Sequence, residues 1–401
     1  MLGALRSLGE RRGLLLLALF VYYAALAFKR GSVVYEDAQQ YHGWALALIE
    51  RGYDIQAFLR EVIWVGGDIR MYLSWIALVA LIAQAFGEAW AGAIVAMNVL
   101  WYCLAAAILL RVVRAIDTSQ TASVLVIGFL FVLWDYYYWF SHPLADSSVN
   151  LLGIAILALI NVAYATDASV KSATLFAIAV VVAGLAVTFK PQGIAILAFV
   201  LASIALVPFL RVEDSQALAS RMRIGFGLGL ALSFVVAYAV GAGAADPSLI
   251  SDEWLRWMMV GQVQDLGRDG SIVWQRYETY VDPPKTALAY VSIFVLRAVS
   301  MFMPFARDYS LGHKLVNAVG LIPLYLLTLT GLWAILAGRA EPRAQRLGAL
   351  AFVLIVSFTM LHALTAIDYD WRYRVPLFGP MLVLAAIGWT EIVARLTAFR
   401  R

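Results

Sequence analysis

Charge is scarce in this chain: 14% of its 401 residues are Asp, Glu, Lys or Arg, against about 25% in soluble domains. With 63% hydrophobic residues beside that scarcity, a water-soluble globular fold is excluded and an integral membrane protein is expected. A single cysteine, Cys103, rules out an intrachain disulfide and leaves the redox compartment unread. Also missing are a phosphate-binding P-loop, a dinucleotide fingerprint, a zinc-protease helix motif and a CxxC pair, which removes the chemistries those motifs carry. No heptad, collagen or low-complexity pattern is present, and no internal repeat. The net charge is +4, but the basic residues fall at the ends of apolar runs, where they orient spans. Nucleic acid is therefore not an expected partner.

What the chain does have is long apolar runs. A transmembrane helix needs about 20 apolar residues. Runs near that length lie at 13–28, 90–110, 121–140, 149–166, 172–189, 192–210, 224–243, 315–337, 348–366 and 376–394. Two more, 71–87 and 287–304, are of ambiguous length or interrupted by Arg297, and read as helices in the outer leaflet. The expected fold is all-α: one polytopic transmembrane bundle over 1–401, of about ten crossings with added amphipathic or re-entrant helices. Short basic connectors (1–12, Arg111/Arg114, Lys171, 211–223, 339–346 and 395–401) belong on the cytoplasmic side. Loops 29–70 and 244–286 then form the outer face. Arg11-Arg12, an apolar stretch and Ala25-Leu-Ala27 have the form of a cleavable signal peptide, yet Asp37 follows so closely that a retained first span is expected.

Polar islands interrupt this frame. Asp37 and Tyr41 are four apart and share a helix face. Asp37 suits a general base, a metal ligand or the N-cap of the helix that follows. In that loop Tyr41, Trp44, Ala45 and Leu48, and again Ile55, Phe58, Leu59 and Val62, recur at helical spacing. His142 and Asp146 could ligate a metal, orient a phosphate or cap a helix, while Tyr136 to Phe140 read as interfacial anchors. Lys190, in Lys190-Pro191-Gln192 between two spans, either snorkels or binds an anion. Near the end, Asp368-Tyr-Asp370-Trp371-Arg372-Tyr373-Arg374-Val-Pro376 packs charge and aromatics between two runs. One arginine is expected to pair with Asp368 or Asp370 and the other to face a phosphate, which suits a planar guanidinium. Trp254, Trp257, Trp274 and Tyr277 with Asp252, Arg268 and Arg276 give loop 244–286 a composition suited to sugars. His313 and His362 read as structural.

Together these islands resemble the GT-C superfamily of polytopic glycosyltransferases, which use polyprenyl- or dolichyl-phosphate sugars and include protein mannosyltransferases and lipid A aminoarabinose transferase. The features that carry the resemblance are Asp37 and Tyr41 after the first span, Asp146 in the next outer loop, Lys190-Pro191-Gln192, and Arg372-Tyr373-Arg374-Val-Pro376. The resemblance implies an inverting glycosyltransferase moving a sugar from a polyprenyl-phosphate donor to a hydroxyl on a glycan or lipid-linked acceptor. It implies Asp37 as catalytic base, with Tyr41, Asp146, Lys190, Arg372, Tyr373 and Arg374 binding substrate. A divalent cation is a candidate cofactor, with Asp37, His142 and Asp146 as its candidate ligands. For a bacterium it implies the inner (plasma) membrane, with the site facing the periplasm or exterior. The alternatives are an O-antigen ligase or polymerase, whose late outer loop tends to carry histidines that 244–286 lacks, and a transporter or flippase, which needs ionisable sites near the midplane.

Overall fold

The computed structural model describes residues 11–62, 69–116, 120–166, 169–245, 259, 262–265, 268–271, 281–282, 284–305, 309–365 and 371–399. Among these the chain is almost wholly helical: α1 (Arg12–Arg30), α2 (Glu36–Glu50), α3 (Ile55–Glu61), α4 (Leu73–Phe86), α5 (Trp90–Arg114), α6 (Thr121–Val132), α7 (Asp146–Ala165), α8 (Ser169–Phe189), α9 (Gly193–Ala205), α10 (Ser215–Ala245), α11 (Ala287–Ser300), α12 (Leu311–Leu336), α13 (Pro342–Leu364) and α14 (Val375–Phe399). One small antiparallel hairpin pairs Gln262–Asp265 with Arg268–Ser271. Among the described residues, eight helices are long and apolar enough to cross a membrane, or nine if the bent pair described below is one span. The chain is a helical integral membrane protein.

The sequence spacing and the helices differ in three places. Ile69–Arg114 form one helical run of 46 residues, with α4 and α5 joined by a 3-10 turn at Gly87, whose φ is +54°. The run 121–140 bends by 68° after Val132 into a short helical segment ending at Ser141. The run 192–210 yields only the 13 residues of α9. At about 1.5 Å per residue this is shorter than the ~30 Å hydrocarbon core. It stops where Pro208, lacking an N–H, starts the next turn at Val207–Leu210. The run 287–304, read as ambiguous in length, forms the short α11 of 14 residues.

Burial sorts the helices. On α14 every residue from Val375 to Gly388 is buried, as expected of a helix apolar on all sides in the middle of a bundle. It packs against α5, α6, α7, α12 and α13. α1 and α10 turn most of their apolar surface outward, including Leu14, Leu17 and Val21 on α1 and Ile224, Leu228 and Leu232 on α10. In a membrane that surface meets lipid. The amphipathic reading of α2 holds: Tyr41, Trp44, Ala45 and Leu48 are buried and Leu46 is exposed. In the next segment only Phe58 is buried, and Ile55 is exposed.

The tightest crossing is α12 on α14. A Cβ on Gly331 would lie 2.0 Å from the Leu384 carbonyl oxygen, and one on Gly388 would lie 2.2 Å from that of Leu327. Lipid supplies no hydrophobic drive between helices, so close backbone approach at small residues carries the packing. Gly331→Val is expected to destabilise the protein by about 1–3 kcal/mol or more, the range for overpacking. Gly225→Ala, where a Cβ meets nothing within 4 Å, should leave the thermal midpoint unchanged or slightly raised.

Candidate functional site

Four chain segments converge at one end of the bundle, and each is fixed by local chemistry. Asp37 lies in the first turn of α2, whose N-cap is Tyr35 without a side-chain cap bond. Its carboxylate does not cap the helix. It pairs instead with Arg372, whose Nη2 is 2.8 Å from Asp37 Oδ2. The Asp37 side chain remains 43% exposed and that of Arg372 16%. Tyr41, one turn on, is packed among Trp44, Tyr72 and Trp75. Burial, reinforced by nearby Tyr72 and Asp37, raises its phenol well above the usual range and keeps it protonated.

Asp146 opens α7, where Ala145 is the N-cap and makes no side-chain cap bond. The preceding loop is tied down by Asn98, which donates to the carbonyls of Phe140 (3.2 Å) and His142 (2.9 Å) and also bonds Ser147. Lys190 sits at the tip of the α8–α9 turn. Gly193 lets that turn close, because a Cβ there would meet the Ala186 backbone at 2.2 Å. Lys190 neither snorkels nor lacks a counter-charge: its Nζ is 2.7 Å from Asp146 Oδ1, and both side chains are buried. Asp146 Oδ2 finds no hydrogen-bond partner among the described residues.

Tyr373 joins the two pairs. Its buried ring has Lys190 Nζ 4.2 Å and the Arg372 guanidinium carbon 4.8 Å from its centroid, contacts of the cation–π kind. His362, read from sequence as structural, holds this arrangement from behind. Gln192 Nε2 donates to its Nε2 at 3.2 Å, and its ring packs on Tyr373 at 5.5 Å. Two ion pairs thus flank one aromatic ring, each with its cation against the ring.

Arg374 goes elsewhere. Its Nη2 is 2.9 Å from Asp135 Oδ2 with both side chains buried, and its Nη1 donates to the Met303 carbonyl at 2.6 Å. This is a framework ion pair, not a ligand-facing guanidinium. Asp135 also accepts from His313 Nε2 at 3.1 Å and from Asn317 at 3.4 Å. Sequence reasoning passed over Asp135, although it is the only charged residue in the apolar run 121–140. Such a residue inside a span by default marks a buried partner. The expected partners of the arginines, Asp368 and Asp370, lie outside the described residues, as do Trp254, Trp257, Trp274, Tyr277, Asp252 and Arg276.

The aromatics before Asp146 are not interfacial anchors: Tyr136, Tyr137, Trp139 and Phe140 are buried. They face inward because the chain bends there. His142 is buried with them, stacked on Tyr35 at 5.2 Å and 4.7 Å from the Trp139 ring. Burial, aided by the positive charge of Arg372, pushes its imidazole down to about 4; Asp146 and the nearby Trp139 carbonyl oppose the shift. Between pH 6.5 and 4 the unfolded state therefore binds more protons than the folded state, and stability falls as pH drops through that window. The expected loss is on the order of 1–3 kcal/mol. His142→Leu should flatten that part of a profile of thermal midpoint against pH.

As metal ligands Asp37, His142 and Asp146 do not fit. Among the described residues no group of three or more His, Cys, Asp or Glu is placed to hold a metal ion. Asp37 and Asp146 are each matched by a cationic side chain, and His142 is enclosed by aromatic rings. No family model, curated protein or solved structure matches the chain.

Proposed function

We propose that the chain is an inverting glycosyltransferase of GT-C type with about ten crossings, moving a sugar from a polyprenyl phosphate to an acceptor hydroxyl at the outer membrane face. For a bacterial protein this face is the periplasmic side of the inner membrane. The observation that carries the reading is the pairing of Asp37 with Arg372 and of Asp146 with Lys190 about Tyr373. These are one base, two phosphate ligands and a second carboxylate at the end of a helical bundle. Charge gathered at helix ends, away from the middle of the spans, favours chemistry at the membrane surface over transport through it.

In this scheme Asp37 accepts the proton of the acceptor hydroxyl as that oxygen attacks the anomeric carbon. The bond from that carbon to the phosphate oxygen breaks, and the lipid phosphate leaves with the electron pair. Arg372 and Lys190 stabilise its negative charge, and a guanidinium can keep Asp37 on one edge while binding phosphate on another. Asp146 holds Lys190 in place. No step runs through a metal ion, for which the described residues offer no ligand set.

The test is turnover. Purified protein in nanodiscs, given a polyprenyl-phosphate hexose and a glycan acceptor extract, should release polyprenyl phosphate and form a product of inverted anomeric configuration. Retention of configuration would contradict single displacement, and transport of the intact donor without cleavage would favour a flippase.

A further inference from the structure

At the far end of the bundle two arginines meet one tryptophan. α12 and α14 both start at the end that holds the ion pairs about Tyr373: His313, in the first turn of α12, bonds Asp135, and α14 follows Arg374 directly. From His313 to Trp333 the helix rises about 30 Å at ~1.5 Å per residue, the thickness of the hydrocarbon core. Trp333 therefore lies at the opposite membrane surface, a level that indole rings favour.

The turn after α12 is built to bring a cation back onto that ring. Gly338 takes φ +68°, the Arg339 N–H donates to the Ala334 carbonyl at 2.9 Å, and Gln216 of α10 donates to the Gly338 carbonyl at 3.3 Å. The Arg339 guanidinium carbon then lies 4.3 Å from the Trp333 ring centroid, and that of Arg395, from α14, lies 4.6 Å from it. Glu391 serves both arginines, with its Oε1 2.7 Å from Arg395 Nε and 3.5 Å from Arg339 Nη1. Among the described residues neither Nη group of Arg395 makes a hydrogen bond. Two cations and one carboxylate leave one positive charge unmatched, on guanidinium side chains that are 48% and 52% exposed.

Tying α12 to α14 explains the bonds to Glu391 but not the surplus charge. The surface beside it is apolar. Leu329 and Leu326, four and seven residues before Trp333, continue down the same face of α12 and are as exposed as the indole. Cations at the membrane surface above an aliphatic strip match an amphiphile with one negative charge at its head. Basic clusters at span ends take anionic lipid headgroups, and guanidinium N–H groups fit phosphate oxygens. We infer that Arg339, Arg395 and Trp333 bind the phosphate of an anionic phospholipid, whose acyl chain lies along Leu329 and Leu326. This site is independent of the proposed transfer reaction and lies a bilayer's thickness from it.

Native mass spectrometry of the full chain tests the site, with the protein released from micelles holding equal amounts of phosphatidylglycerol and phosphatidylcholine with the same acyl chains. Phosphatidylglycerol should be retained in preference. Arg339→Gln and Arg395→Gln should each lower that preference about fivefold, the effect of one basic residue near an anionic membrane surface, and the double variant should abolish it. Each single variant breaks only an exposed ion pair, so its thermal midpoint in phosphatidylcholine nanodiscs should stay close to that of the wild type. Inorganic phosphate should not displace the lipid, because it lacks the chain that lies on α12. Equal retention of the two lipids overturns the site, as does a preference that survives the double variant or displacement by inorganic phosphate. A preference lost in Arg372→Ala but kept in the double variant also overturns it, by moving the lipid to the candidate site.

Discussion

Asp37→Asn should lower sugar transfer by about 10²–10⁴-fold, the contribution of a positioned general base, while the protein folds and still binds lipid phosphate. Asparagine keeps the shape of the side chain and its place in the first turn of α2, but cannot take the acceptor proton. The change also removes the anion that Arg372 now pairs with. Phosphate affinity should therefore hold or rise, because the guanidinium no longer divides its charge between two anions. A loss of transfer together with retained binding separates a base from a binding residue. Transfer near the wild-type rate would remove Asp37 from the chemistry altogether.

The second large effect comes from the Asp146–Lys190 pair. Lys190→Met leaves a carboxylate buried without its cation, and breaking a buried pair in this way costs about 3–5 kcal/mol. Lipid-phosphate binding should be lost as well. Stability alone cannot tell structure from function here, because the proposed scheme gives the pair both roles. The double variant Lys190→Met/Asp146→Asn removes both charges, so it should regain most of the lost stability and still fail to bind phosphate. A double variant that recovers binding along with stability would show that Lys190 serves only the fold. Thermal unfolding and lipid binding measured on the same preparations decide between these outcomes.

Much of this was legible from residue spacing, for reasons that also mark where it stops. The buried face of α2 follows from apolar residues at helical intervals, and Tyr41, Trp44, Ala45 and Leu48 lie inward as the spacing requires. Asp37 could be read equally as a cap, because N-capping and ion pairing demand the same residue type; only the contact with Arg372, 335 positions away, separates them. The partner of Lys190 lies 44 residues earlier and on another helix, beyond the reach of local pattern. Arg372 and Arg374 look interchangeable in sequence, yet one pairs with the half-exposed Asp37 and the other is buried on Asp135. Their divergence follows from the 3-10 turn Trp371–Arg374. Hydropathy alone does not show where the helices bend or stop: apolar composition continues through Leu133 and past Leu206, where the chain bends or a proline starts a new turn.

The measurement that bears most directly on the central claim is binding of polyprenyl phosphate to the purified protein in nanodiscs, wild type beside Arg372→Ala and the Lys190→Met/Asp146→Asn double variant. Saturable binding that both variants lose would place the lipid phosphate between Arg372 and Lys190, as proposed. Absence of binding, or binding that survives both changes, would contradict the account and leave the two ion pairs as ties between helices.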